Sequence, residues 1–179
     1  TSDVEPAQKV FPLHPLQNPN TRFGFDMRQN WLEIVEIPPS GSLDEFDRKR
    51  MRNDYALMAL IETGARRVRI PARDLFDPDH RKRLEDCACQ GFLFTLFSFG
   101  VPNQRLLDAV SGAKGLIDIW EICDTAENLP AVVMTTRETV KRAGIALYLS
   151  RIRTKEDQEK ASGVYHHMIV HGYTPEDTN

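Results

Sequence analysis

The sequence lacks the marks of several large classes of protein. It contains no apolar run close to the roughly 18 residues of a membrane-spanning helix, so we expect no membrane partner. Its three cysteines, Cys87, Cys89 and Cys123, are too few and too irregularly spaced for a disulfide framework, and no Cys-x-x-Cys pair occurs. We therefore expect reduced, buried thiols in a cytoplasmic protein.

Positive charge is not in excess either. The chain has 23 Lys and Arg residues against 26 Asp and Glu residues, which gives a formal net charge of -3 at pH 7. Nucleic acids are bound mainly through clustered Lys and Arg side chains that neutralise phosphates. We therefore expect no nucleic-acid partner.

Several catalytic motifs are missing as well. The sequence has no Gly-x-Gly-x-x-Gly loop, no P-loop and no Gly-x-Ser-x-Gly elbow, which disfavours dinucleotide binding, nucleotide hydrolysis and acyl transfer. What is present is the composition of an ordinary globular protein, with 41% hydrophobic and 27% charged residues. Its 179 residues correspond to the size of a single domain.

The first part of the chain is rich in proline. Residues 1–20 contain four prolines and little hydrophobic periodicity, so we interpret them as a linker or surface extension that precedes a folded domain over residues 21–179. The first residue is Thr1 rather than Met, and no basic-then-apolar signal pattern follows. We expect the chain to be a piece of a longer polypeptide.

The rest of the chain alternates between strand-like and helix-like segments. β-Branched and aromatic residues predict an edge strand at 22–26 and repeat strands at 31–37, 67–70, 92–99, 116–122 and 145–150. Capping residues and helical spacing of apolar residues predict helices at 42–63, 78–90, 104–113 and 129–143, and another from Thr154. Residues 131–134 also fit a strand by β-branching, but the apolar spacing favours the helix.

This alternation predicts the fold class. Strands that alternate with helices form right-handed βαβ units with a parallel sheet, so the class is α/β. The missing glycine-rich phosphate loop favours a barrel over a doubly wound sheet. A closed barrel of eight units takes about 250 residues, so we expect a partial (β/α) TIM-barrel-like domain of about five parallel strands with helices. Such a barrel is incomplete, permuted or completed by a partner.

Charged residues in or just after these strands are the candidates for chemistry, because a β/α barrel forms its ligand site at the C-terminal ends of its strands. Alternation along residues 67–70 turns Arg67 and Arg69 toward the interior of the sheet. In one interpretation, Arg69 and Arg151 hold an anionic small molecule. Glu121 then orients this ligand or moves a proton, and Ser98 donates a hydrogen bond to it. In the other interpretation, the charges form structural ion pairs, since a buried charge needs a partner.

Histidines and cysteines offer no stronger site. His167 and His171 have the spacing of four that places two zinc ligands on one helix face, but Met168 stands where metalloproteases carry Glu, and no third ligand is evident. We therefore expect no metal site. Cys87 and Cys89 point to different faces of a helix, so neither a redox pair nor a metal clamp is indicated, and we expect both to pack in the core.

Four stretches resemble the C-terminal region of bacterial calcineurin-like metallophosphoesterases. They cover residues 31–47, 52–55, 97–102 and 166–173, within a similarity that extends from about Arg22 onward. That family's catalytic centre holds two metals through Asp-x-His, Gly-Asp, Gly-Asn-His and Gly-His-x-His motifs. The two metals bridge and polarise a phosphate ester. None of these motifs occurs here, so no catalytic residue carries over onto this chain.

The resemblance implies a non-catalytic accessory or assembly domain of a phosphoric ester hydrolase. The chemistry then belongs to another domain, divalent metals are held only there, and this chain binds no cofactor. Unpaired strand edges seek partners, so we expect a homodimer through exposed sheet edges. The alternative is a stand-alone small-molecule lyase or isomerase that uses Arg69, Glu121 and Arg151 at the strand ends. A protein-interaction module with closed ion pairs and an apolar surface patch is the third hypothesis.

Overall fold

A parallel sheet of five strands organises the molecule. The computed structural model describes residues 23–27, 31–32, 34–37 and 49–152. In these residues the strands are β1 (Gly24–Asp26), β2 (Ile34–Ile37), β3 (Lys49–Arg52), β4 (Arg67–Pro71), β5 (Leu93–Phe99), β6 (Ile117–Asp124) and β7 (Ala146–Arg151). The helices are α1 (Tyr55–Glu62), the short 3-10 helix Ala72–Leu75, α2 (Pro78–Cys89), α3 (Gln104–Ser111) and α4 (Leu129–Ala143).

The order of the strands follows the order of the chain. The large sheet runs β1-β4-β5-β6-β7, and every pair of neighbours is parallel. Each connection leads to the neighbouring strand on the same side. When such connections are right-handed, they all lie on one face of the sheet. The predicted α/β class and the five parallel strands are therefore confirmed.

Alternation along the strands separates an apolar face from a charged one. Buried apolar side chains stand at every second position of three central strands, with the pairs Val68 and Ile70, Phe94 and Leu96, and Trp120 and Ile122. In β4 the intervening positions are Arg67 and Arg69, as the alternation of side chains along a strand predicts. The apolar face forms the core with the helices, and the charged face carries the candidate site.

The prediction for the first repeat strand was wrong. Residues 34–37 pair antiparallel with β3 in a separate two-stranded sheet, with Ile34 opposite Arg52 and Ile37 opposite Lys49. The first strand of the large sheet is β1 instead, with Gly24 opposite Arg67. A Cβ at Gly24 would lie only 2.5 Å from the carbonyl oxygen of Arg67, so glycine permits this close approach. Strand propensity indicates an extended backbone but does not choose its partner.

The first predicted helix was too long. The spacing of residues 42–63 indicates one helix, but residues 49–52 form β3, and α1 covers only Tyr55–Glu62. The capping box at residues 42–45 lies outside the described residues. Backbone pairing with β2 has overridden the local helical pattern of β3.

The later helix signals were correct. The Asp77 carboxylate accepts hydrogen bonds from the backbone N–H groups of Asp79 and His80, and Pro78 is the first residue of α2. The segment that was ambiguous between strand and helix is α4, which ends at Gly144 in the left-handed conformation with φ of 71°. Propensity and apolar spacing agree with tertiary structure in this half of the chain.

Three predictions fall on residues that the structure does not describe. The proline-rich segment 1–20, the helix expected from Thr154 and the histidine pair at 167 and 171 all lie outside the described residues. Among the helices that the structure does describe, none has both the length and the apolar character needed to cross a membrane.

Candidate functional site

Arg69 and Glu121 form the centre of the charged face of the sheet. Arg69 lies in β4 and Glu121 in β6, two strands away, and the Arg69 Nε donates to the Glu121 Oε2 at 2.5 Å. Glu121 is only 6% exposed. A carboxylate with so little contact with water needs a charged partner, and the guanidinium supplies one. The structure thus brings together two of the four residues predicted from the sequence.

Arg69 has a second carboxylate on its other side. Its Nη1 donates to the Oδ2 of Asp26 in β1 at 3.0 Å, and the guanidinium carbon lies 3.9 Å from the centre of the Phe97 ring in β5. Cation–π contact and two ion pairs therefore hold this one side chain against three other strands. Sequence reasoning missed Asp26, although its position at the end of a predicted strand was a usable signal.

The electrostatics of the cluster favour the ion pair. Burial opposes the charge of Arg69, but the hydrogen bond and negative charge of Glu121 outweigh it, so the pKa of Arg69 is raised above its ordinary value. The remaining oxygen of Glu121, Oε1, accepts a weak hydrogen bond from the Cys123 thiol at 3.6 Å. Both oxygens of Glu121 are thereby engaged in hydrogen bonds.

Cys123 is a buried thiol rather than a nucleophile. Burial and the nearby charge of Glu121 raise its pKa to about 11, although a hydrogen bond with Ser150 and the charge of Arg69 act the other way. A cysteine needs a lowered pKa to react at neutral pH. The Cys87 thiol is likewise buried, with its pKa raised to about 11 by desolvation. The expectation that Cys89 packs in the core was wrong, because its side chain is exposed on the other face of α2.

Ser98 and Arg151 lie on the opposite face of the sheet from Glu121. Ser98 is buried, and its hydroxyl oxygen accepts a hydrogen bond from the Trp120 indole N–H at 3.0 Å. Arg151 stands opposite Asp124 in the pairing of β6 with β7, one position after the pair of Cys123 and Ser150. Alternation therefore directs Arg151 away from the face that carries Glu121. The structure does not bring the four predicted residues into one cluster.

A second ion pair extends the charged face toward the other end of the strands. The Arg67 Nη1 donates to the Asp118 Oδ2 at 2.6 Å, again between β4 and β6. Asp118 lies where the pairing of β5 with β6 shifts by one residue. Both Arg–carboxylate pairs thus join β4 to β6 across β5. This is the arrangement expected of a structural network.

A buried Asp–His pair is the polar cluster that sequence reasoning missed. Asp74, in the 3-10 helix after β4, is 3% exposed, and its Oδ1 lies 3.3 Å from the Nδ1 of His80 in the first turn of α2. Burial raises the pKa of Asp74 above its ordinary value, and His80, Arg73 and the Trp31 indole lower it in part. The short link between β4 and the predicted start of α2 was a signal that these residues share one end of the sheet.

Metal-binding residues are not clustered in the part of the chain that the structure describes. There, no group of three or more His, Cys, Asp and Glu side chains is arranged to hold a metal ion. On the charged face of this parallel sheet, the Arg and carboxylate side chains pair with each other. Comparisons with protein-family models, with characterised proteins and with solved structures found no match to this chain.

Proposed function

We propose that this chain is a non-catalytic accessory or assembly domain of a bacterial calcineurin-like metallophosphoesterase, and that its sheet is part of a β/α barrel. The observation that carries the proposal is that Glu121 and Asp26 both form ion pairs with Arg69. A ligand anion at Arg69 would have to displace a carboxylate held at 2.5 Å. Closed pairs of this kind favour a structural role over catalysis.

The sequence resemblance supports the identity of the parent protein. The stretches that carry it include residues 97–102, which extend from the end of β5 into the next loop. The metal-ligand motifs of the family are missing from this chain. Divalent metals and the hydrolysis of the phosphate ester accordingly belong to a separate catalytic domain, for which this one selects substrate or arranges subunits.

Assembly is supported by the edges of the sheet. Among the described residues, no strand pairs with the outer edge of β7, and Tyr148 in that strand is exposed. An edge strand presents backbone N–H and C=O groups that can pair with another chain. We propose a homodimer in which two copies meet through such an edge.

The enzyme hypothesis has less support from the geometry. A lyase or isomerase site built from Arg69, Glu121 and Arg151 requires the three side chains to meet one ligand. Arg69 and Glu121 share a face of the sheet and neutralise each other, whereas alternation directs Arg151 to the opposite face. This arrangement favours the accessory role over the alternative.

Turnover by the chain itself is the direct test. The full chain is incubated with a panel of phosphate monoesters and diesters and with Mg²⁺, Mn²⁺ or Zn²⁺, and the released phosphate or alcohol is measured. We expect no release above that of a buffer control with the same metals. Turnover that copurifies with the chain and disappears in Arg69→Gln, while the variant keeps its fold, overturns the non-catalytic role.

The parent family and the assembly have separate tests. We expect the reading frame that encodes this chain to encode the four metal-ligand motifs as well, and a frame with none of them overturns the family assignment. Sedimentation velocity measures the assembly, with a concentration-dependent dimer as the expected result. Tyr148→Lys adds charge beside the β7 edge and should weaken the dimer, whereas Met134→Lys on the exposed side of α4 is the matched control. A monomer at all concentrations contradicts the homodimer.

A further inference from the structure

Two large aromatic side chains are exposed on the charged face of the sheet. Phe99, at the end of β5, is 65% exposed, and Tyr148, in β7, is 53% exposed. Alternation places Phe99 on the same face as Phe97, and the pairing of β6 with β7 sets Tyr148 beside Glu121. Parallel sheets are almost always covered on both faces. The helices pack on the apolar face, so the charged face is the one that still needs a partner.

The two outer strands of the sheet also have open edges. In the described part of the chain, β1 and β7 each pair with one strand only. On β1, the rings of Phe23 and Phe25 are exposed and meet edge to face, with 6.4 Å between their centres. Phe25 stands beside Val68 and therefore on the apolar face. An aromatic ring is exposed on that face because the helix layer stops there, so a further strand fits beside β1.

The charges of the charged face do not oppose a second copy of this chain. Arg67 pairs with Asp118, and Arg69 pairs with both Glu121 and Asp26. Burying an unpaired charge in an interface is costly. These five charges already have partners within one chain, so two such faces can approach each other without burying an unpaired one from this set. The surface is electrostatically compatible with a copy of itself.

We propose that a second copy of this chain closes the sheet into a barrel, with β1 of each copy beside β7 of the other. This inference rests on the homodimer proposed above and names the two edges that meet in it. Two copies of five strands give ten strands. A two-fold axis along the barrel keeps all of them parallel and forms two identical contacts between β1 and β7. The charged face then becomes the interior, and neither edge is left unpaired.

The side chains of the charged face suit an interior of this size. A barrel of eight strands has an interior that side chains just fill, and its diameter grows with the number of strands. Ten strands therefore need long side chains that point inward. The described strands place Arg69, Phe97, Glu121 and Tyr148 on this face. A contact between two β7 strands alone would instead leave the edge of β1 and the charged face open to water.

Photocrosslinking of the full chain tests which edges meet. The photoreactive amino acid p-benzoylphenylalanine replaces Phe25 in one preparation and Tyr148 in another. Each is allowed to exchange with unmutated chain carrying a heavy-isotope label and is irradiated, and mass spectrometry identifies the linked peptides. The label separates links between copies from links within one copy. We expect the probe at Phe25 to react with residues 146–151 of the other copy, and the probe at Tyr148 to react with residues 24–26.

Sedimentation velocity of the same preparations separates this inference from the homodimer itself. A chain that is monomeric at all concentrations overturns the homodimer and the barrel together. A dimer overturns the barrel alone if the probe at Tyr148 links to residues 146–151 of the other copy, or if neither probe links two copies. The same probe at Met134, on the exposed side of α4, is the control and should link to neither edge strand of another copy.

Edge variants give a second, independent measurement. Phe25→Lys places a charge beside β1, and Tyr148→Lys places one beside β7. Because the closed dimer contains each edge twice, each variant should raise its dissociation constant by about tenfold or more. Met134→Lys should leave the constant unchanged, and circular dichroism checks that all three variants keep their fold. A folded Phe25→Lys chain that dimerises as tightly as the unmutated one overturns the barrel, because only β7 would then contribute to the dimer.

Discussion

The guanidinium of Arg69 lies over the ring of Phe97 on the neighbouring strand, 3.9 Å from its centre, while the same side chain pairs with carboxylates on either side. Stacking blocks one face of the guanidinium and the ion pairs occupy its edge. An arginine held in this way is fixed in position and shielded from water. The charged face consequently has a structural role. Mutations of its paired residues should have non-additive effects on the free energy of unfolding.

Removing one partner of the central ion pair should destabilise the fold more than removing both. Glu121→Gln leaves the guanidinium of Arg69 partly buried with Asp26 as its remaining carboxylate, and we expect the free energy of unfolding to fall by about 1 to 3 kcal/mol. The double variant Arg69→Met with Glu121→Leu should recover part of that loss. Urea unfolding of Arg69→Met, Glu121→Leu and the double variant measures the coupling. Strictly additive losses would contradict a closed pair.

Ser98 should matter through Trp120 rather than through a ligand. Ser98→Ala removes the acceptor of a fully buried indole N–H, which should lower the free energy of unfolding by about 1 to 2 kcal/mol. Ser111→Ala is the matched control, because among the described residues the Ser111 hydroxyl accepts a hydrogen bond from the exposed Arg142, at 3.3 Å. Thermal and urea unfolding compare the two. A Ser98→Ala variant as stable as the control removes the structural role assigned to this hydroxyl.

Local signals in the sequence predicted the second half of the fold well, because residues at the ends of its helices mark where those helices begin or end. Asp77 and Pro78 set the start of α2, and Gly144 set the end of α4. The first half was different, since β2 takes an antiparallel partner that follows it in the chain and β1 takes a parallel partner more than 40 residues away. Strand propensity alone does not distinguish these two kinds of pairing.

The candidate site was predictable only in part, for a related reason. Alternation along β4 was enough to place Arg69 on the charged face. Its partners depend on register: β1 brings Asp26 directly beside Arg69, and β6 brings Glu121 within reach from two strands away. Alternation within β7 also separates Arg151 from Glu121, and the sequence could not show this until the pairing of the two strands was known.

A side chain at Gly24 should detach β1. The Cβ of Gly24→Ala would lie 2.5 Å from the backbone oxygen of Arg67, which cannot move without disturbing the sheet. We expect loss of hydrogen-exchange protection at the Met27 amide, which donates to the Arg69 carbonyl at 2.9 Å. Gly112→Ala is the control, since its nearest contacts are ordinary at 3.5 Å or more. Equal protection of Met27 in both variants contradicts the close approach.

The three cysteines should differ sharply in reactivity. Cys89 is exposed, whereas Cys87 and Cys123 are buried with pKa values of about 11. At pH 8 only about one in a thousand of the buried thiols is the reactive thiolate. Mass spectrometry after brief treatment with iodoacetamide should find one modified site in the folded chain and three in urea. The Cys89→Ser variant should remain unmodified until it unfolds, and early labelling of Cys123 would indicate an open charged face.

Acid should weaken α2 through Asp77. The hydrogen bonds from the His80 and Asp79 backbone N–H groups hold the pKa of the Asp77 carboxyl below its ordinary value of 3.8. A lowered pKa means that the cap stabilises the fold above the unfolded pKa and that this stabilisation is lost as pH falls through the folded pKa.

The Asp77→Ala variant should therefore melt below the unmutated chain at pH 7, and the difference in Tm should shrink in acid. Asp77→Ser keeps a capping oxygen without a charge, so its Tm should lie between the other two at pH 7 and lack this acid dependence. Because α2 carries His80, loss of the cap should also disturb the contact of His80 with Asp74. A Tm difference that stays constant from pH 7 to pH 3 would show that the charge of Asp77 contributes nothing to the start of α2.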